Sequence, residues 1–94
     1  MATFILLSTL TDEGAKTIKA KPERIKEVNK ELEKLGATVK AQYAVLGPYD
    51  FVNVVEAKDT TTILRVSAEL ASRGSVKLLT LSAVSIDEFV RSLK

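Results

Sequence analysis

Apolar residues along the chain change their period several times, and each change marks an element. From Thr3 to Leu10 both alternate sets are apolar, Phe4, Leu6 and Leu10 on one side and Ile5 and Leu7 on the other. A strand of that kind is covered on both faces, which predicts a central position in a sheet. In the next stretch, TDEGAKTIKAKPER, Thr11 or Asp12 caps a short helical turn. Pro22 then opens a longer helix, where its missing N–H costs little. Ile25, Val28, Leu32 and Leu35 fall on one stripe of that helix, charged residues fill the remainder, and Gly36 ends it in the left-handed conformation.

Alternation returns from Ala37 to Leu46, with Val39, Tyr43 and Val45 set against Thr38, Lys40 and Gln42, the pattern of an edge strand with one wetter face. Gly47-Pro48-Tyr49-Asp50 interrupts it, and Phe51 to Ala57 resumes as an apolar, β-branched strand, so the two strands form a hairpin. Asp59 caps a second helix with Ile63, Val66 and Leu70 on one face, Gly74 ends it, and Val76 to Ala83 is the last strand. Ser85 and Glu88 have capping-box spacing ahead of a short terminal helix whose apolar side is Ile86, Phe89, Val90 and Leu93.

Two strand-helix-strand halves joined by a hairpin give a βαββαβ order in one domain spanning residues 1–94. Right-handed crossovers then predict an α+β, ferredoxin-like sandwich with an antiparallel sheet of order 4-1-3-2 and a short C-terminal helix. Both crossover helices cover the same face. The third strand nevertheless offers Phe51 and Val55 to one side and Val52 and Val54 to the other, so the second face is apolar as well. Leaving that face in water forgoes roughly 25 cal/mol per Å², and large bare apolar patches mark interfaces. The expectation is a homodimer, or a higher multiple, joined through the sheet face. The alternative is a terminal helix folded back over its own sheet.

The 94 residues include 14 Lys and Arg, 12 Asp and Glu, and neither Cys nor His. Disulfides, thiolate chemistry, His-based metal sites and Ser-His-Asp catalysis are therefore excluded, and no cofactor or metal is implied. A formal charge of +2 spread along the chain does not suggest a nucleic-acid surface. The aromatic, basic motif of RNA-binding sheets is missing from the strands. The first ten residues hold an apolar run of only four, Phe4 to Leu7, with no basic segment before it, and suit neither a signal peptide nor a membrane span. A soluble, cytoplasmic protein is expected.

The segments TDEGAKTIKAKPERI and LGPYDFVNVVEAKD together resemble the GYD-domain family of small bacterial and archaeal proteins, over nearly the whole chain. Gly47, Tyr49 and Asp50 match the family's Gly-x-Tyr-Asp corner, with Pro48 at its variable position. The resemblance implies a ferredoxin-like fold of the dimeric α/β-barrel type and leaves the biochemical role unassigned.

The corner has two readings. In one, Gly47 and Pro48 make a tight connection, Asp50 accepts backbone N–H groups and Tyr49 lies across an apolar edge. In the other, Tyr49 and Asp50 project into a pocket as donor and carboxylate. Asn53, inside an apolar strand, must find partners. Glu56 reads as an exposed strand-end charge, or as a carboxylate of the same pocket. Tyr43, Gly47, Tyr49, Asp50 and Asn53 are thus the candidate ligand-binding residues. They belong to a homo-oligomeric module that binds a small molecule without transforming it. A cofactorless oxygenase or isomerase of the dimeric α/β-barrel class and a purely structural assembly protein are the alternatives.

Overall fold

The computed structural model describes residues 1–94. Strand β1 (Ala2–Leu10) leads to helices α1 (Asp12–Ala20) and α2 (Arg24–Leu35), and β2 (Ala37–Ala44) and β3 (Phe51–Ala57) form the hairpin. Helix α3 (Thr60–Ser72), β4 (Val76–Ala83) and α4 (Ile86–Ser92) complete the chain. The four antiparallel strands lie in the order β2-β3-β1-β4, or 4-1-3-2 counted from the other edge, so the two most apolar strands are central. The architecture is α+β and matches a ferredoxin-like sandwich.

The local signals act largely as the residue chemistry requires. Thr11, Asp59 and Ser85 each cap a helix by accepting a backbone N–H, from Gly14, Thr62 and Glu88 respectively. Gly36 closes α2 at φ 102°. Three boundaries differ from expectation. The segment after Thr11 forms a nine-residue helix rather than a single turn. Pro22 precedes α2 by two residues, because the N–H groups of Arg24 and Ile25 bond three residues back, to Lys21 and Pro22, and that tight turn comes before α2 begins. β2 ends at Ala44, and the hairpin closes through the Val45 N–H on the Asp50 carbonyl at 2.9 Å.

The core lies between one sheet face and the helices. Phe4, Leu6 and Val55 from the sheet pack with Leu32 of α2 and Ile63, Val66 and Leu70 of α3. The pairings place Ile5 and Leu7 beside Val52 and Val54 and beside Leu79 and Leu81 on the opposite face, which no element covers. Helix α4 does not fold back to cover it, and none of its residues is buried. Its apolar side chains Ile86, Phe89, Val90 and Leu93 are exposed, as are Leu79, Leu81 and Tyr43 on the sheet. The accessible surface is 6531 Å², against roughly 5,300 Å² for a compact monomer of 10.2 kDa. The radius of gyration is 14.0 Å, where about 12.4 Å describes a compact chain of this length. Both excesses accompany an elongated shape, 50 × 29 × 19 Å, in which α4 buries none of its residues.

Candidate functional site

A cavity of about 140 Å³ lies between the helix-facing side of the sheet and the helices. Leu6, Val39, Val76 and Leu78 form its floor, and Ile25, Val28 and Leu32 of α2 and Ile18 of α1 form its wall. Its position follows from α1, whose first turn is fixed by hydrogen bonds and close packing against the end of the α3–β4 connection. The Thr11 N–H donates to the Ser75 carbonyl at 3.0 Å, the Thr11 hydroxyl donates to the Gly74 carbonyl at 2.8 Å, and Gly14 lies against Ser75. A Cβ at Gly14 would stand 2.0 Å from the Ser75 carbonyl oxygen, so only glycine permits this approach. Gly14 is the one buried residue of α1.

The polar part of the wall is a chain of amides. Buried Asn53 donates from Nδ2 to the Leu6 carbonyl at 2.8 Å and accepts at Oδ1 from Gln42 Nε2 at 2.8 Å. Gln42 and Asn29 face each other head to head, with Asn29 Nδ2 donating at 2.9 Å and Gln42 Nε2 donating back at 3.2 Å. Ser8, also buried, accepts a long 3.5 Å contact from Asn53. Three consecutive elements, α2, β2 and β3, therefore meet through side-chain amides on an otherwise apolar surface, which removes the penalty of burying each amide alone.

Arg24 and Arg73 are the only charged residues on the cavity lining. Outside it they share Glu31. Arg24 Nη1 bonds Glu31 at 3.0 Å and Glu27 at 3.3 Å, while Arg73 bonds Glu31 through Nη1 and Glu69 through Nη2. The hydrogen bond from Arg73 holds the Glu31 carboxyl below the ordinary glutamate range. Burial opposes that effect and Arg24 reinforces it. Glu27 is lowered chiefly by Lys21 and then by Arg24, and Arg73 is raised by its bond to Glu31. This alternating network ties the start of α2 to the end of α3 beside the cavity.

The five residues singled out from the sequence fall in three locations. Asn53 lines the cavity. Gly47 (φ 126°), Tyr49 and Asp50 belong to the hairpin connection, where Gly47 has open space around it and Tyr49 and Asp50 are half-buried. The Asp50 carboxylate accepts the Leu10 N–H at 2.8 Å, and its own N–H donates to the Ser8 carbonyl at 2.9 Å. With the Val45 bond, Asp50 ties the hairpin to the end of β1. Tyr43 pairs with Val52 on the uncovered face and is 62% exposed. Glu56 lies opposite Thr3 and Thr38 on that same face.

Gln42 escapes a reading of the sequence for one main reason. The register shifts between Val39 and Ala41, an irregularity of the β-bulge type, so strict alternation fails at Lys40. Val39 faces the helices and Tyr43 faces away, although alternation sets them together, and Gln42 turns inward to meet Asn53. The lysine at the shift on an edge strand was the available signal.

No helix is long and apolar enough to cross a membrane, and no group of three or more Asp or Glu gathers to hold a metal ion. The GYD domain model matches residues 4–93. A protein of Thermus thermophilus named glutamine synthetase and cystathionine beta-lyase binding protein is 62% identical over 95 residues, covering the whole of both chains. Among solved structures, TTHA0845 from Thermus thermophilus superposes with a TM-score of 0.58 at 25% identity, covering 90% of this chain and 95% of that one. FFRP-DM1 superposes with a TM-score of 0.64 at 20% identity, covering 89% and 100%, a likeness of fold.

Proposed function

The chain belongs to the GYD domain family, and from that premise we propose that it is a homo-oligomeric, non-catalytic module that binds protein partners. The observation that carries the reading is the uncovered sheet face. Ile5, Leu7, Val52, Val54, Leu79 and Leu81 form one contiguous apolar surface across the three strands β3, β1 and β4. Large exposed apolar patches of this kind mark interfaces. Two copies meeting face to face bury that surface symmetrically, in the manner of a dimeric α/β barrel. The partner class comes from the Thermus thermophilus relative, whose name records binding to glutamine synthetase and cystathionine beta-lyase. We infer that this chain binds enzymes of the same two kinds.

Light scattering on a size-exclusion column tests the assembly, and the same column loaded with purified glutamine synthetase or cystathionine beta-lyase tests the partner. The expected results are a dimer, or a multiple of it, and co-elution with at least one enzyme. A monomer at all concentrations overturns the sheet-face interface, and separate elution from both enzymes overturns the partner class.

A further inference from the structure

We propose that the cavity between the sheet and the helices is a binding site for a small monocarboxylate with a compact apolar body. Its volume of about 140 Å³ is close to that of an engineered apolar cavity, about 150 Å³, that takes up benzene. A ring or branched aliphatic group therefore fits against Val28, Leu32, Val76 and Leu78, and a head group extends toward the polar lining.

The lining selects the charge of that head group. No acidic residue lines the cavity, whereas Arg24 and Arg73 do. Arg24 uses a single nitrogen, Nη1, for both of its ion pairs, leaving Nη2 and Nε without a partner in the chain. Arg73 uses Nη1 and Nη2, leaving Nε. Guanidinium forks of this kind hold carboxylates by charge-assisted hydrogen bonds. Two further donors face the same space: the second N–H of Asn29 Nδ2, whose one bond goes to Gln42, and the Ser8 hydroxyl, which accepts from Asn53 and donates to nothing in the chain.

An apolar wall of the same shape is commonly at least as stable as a buried polar network. Asn29, Ser8 and the two arginines all border one space and have donors to spare, as a site for an acceptor-rich ligand requires. Binding here needs neither a dimer nor a protein partner, so a negative result for either leaves it standing.

Phenylacetate is a suitable probe, with phenylacetamide as its uncharged counterpart of the same shape. In a two-dimensional NMR titration, phenylacetate should give saturable shifts of the Asn29, Gln42 and Asn53 side-chain amides, and phenylacetamide should bind at least about tenfold more weakly. Arg73→Gln, at the half-exposed rim, should weaken phenylacetate about tenfold with the circular dichroism spectrum unchanged. Val28→Phe should fill the cavity and abolish the amide shifts. The proposal is overturned by the absence of saturable shifts up to about 10 mM probe, by equal binding of the two probes, or by binding that survives in a folded Val28→Phe variant. Should Val28→Phe not fold, the comparison of the two probes and the Arg73→Gln titration decide between the same outcomes.

Discussion

Asp50 and Gly14 each hold two segments together through backbone groups, and both make firm predictions. Asp50→Ala removes the acceptor of the Leu10 N–H and leaves the amide half-buried, at a cost of about 1–2 kcal/mol. Asp50→Asn retains an oxygen at that position and should recover much of the loss. Chemical denaturation of the three proteins measures both. Equal stability in all three would remove the structural account of this carboxylate and return it to the candidate ligand-binding residues. Gly14→Ala forces α1 off Ser75, since the added Cβ would stand 2.0 Å from a backbone oxygen that cannot rotate away. The expected loss is about 1–3 kcal/mol, with amide exchange accelerated in α1 more than in α2. That Asp50 accepts backbone N–H groups was open from the sequence, although the one it accepts belongs to Leu10, forty positions away, and not to its own turn. The role of Gly14 was not open, because its constraint comes from Ser75, sixty-one positions away.

Among elements, α2 and α3 are joined by charge as well as by packing. Glu31 accepts from both Arg24 and Arg73, and its folded-state acidity exceeds that of the unfolded chain. A depressed carboxyl pKa stabilises the fold fully above the unfolded value, near 4.3. That contribution is lost as pH falls through the lower folded value. Glu31→Gln should therefore lower stability at neutral pH and flatten the acid limb of a stability-versus-pH curve below about 4.3. An unchanged acid limb would assign the pH dependence to other carboxylates. The elements themselves were legible wherever composition acts locally, in the caps at Thr11, Asp59 and Ser85 and the left-handed close at Gly36. What alternation could not supply was the face of each β2 residue beyond Val39, because one irregularity reverses every side chain after it. The inward turn of Gln42 was hidden for that reason, and Asn53, a polar residue in a mostly apolar strand, was the signal of the amide wall.

At the scale of the molecule, the two faces of one strand give opposite expectations for neighbouring residues. Val55 is completely buried against the helices, so Val55→Lys places an unpaired charge in the core and should abolish cooperative folding. Val54 points to the uncovered face, opposite Ile5 and Ala41. Val54→Lys should keep the secondary structure and shift the protein to monomer, and the wild-type melting temperature should rise with concentration where that of the variant does not. Circular dichroism with light scattering separates the two effects, and a Val54→Lys variant with the same mass as the wild type would remove the support for the proposed sheet-face interface.

Asn53 has a consequence beyond the cavity. In a sheet with one dry and one wet face, slipping a strand by one residue is costly because it turns every apolar side chain into water. β1 and β3 lack that safeguard, for Phe4 to Leu7 and Phe51 to Val55 are apolar on both sides apart from Asn53 itself. A slipped pairing would look almost as hydrophobic as the native one. The native alignment is marked by polar bonds that a slip must break, from Asn53 to the Leu6 carbonyl and from Asp50 to Ser8 and Leu10. Removing Asn53 should therefore cost fidelity as well as free energy. Asn53→Leu is expected to yield doubled resonances or aggregates on refolding, the mark of a chain that can align its central strands in more than one way.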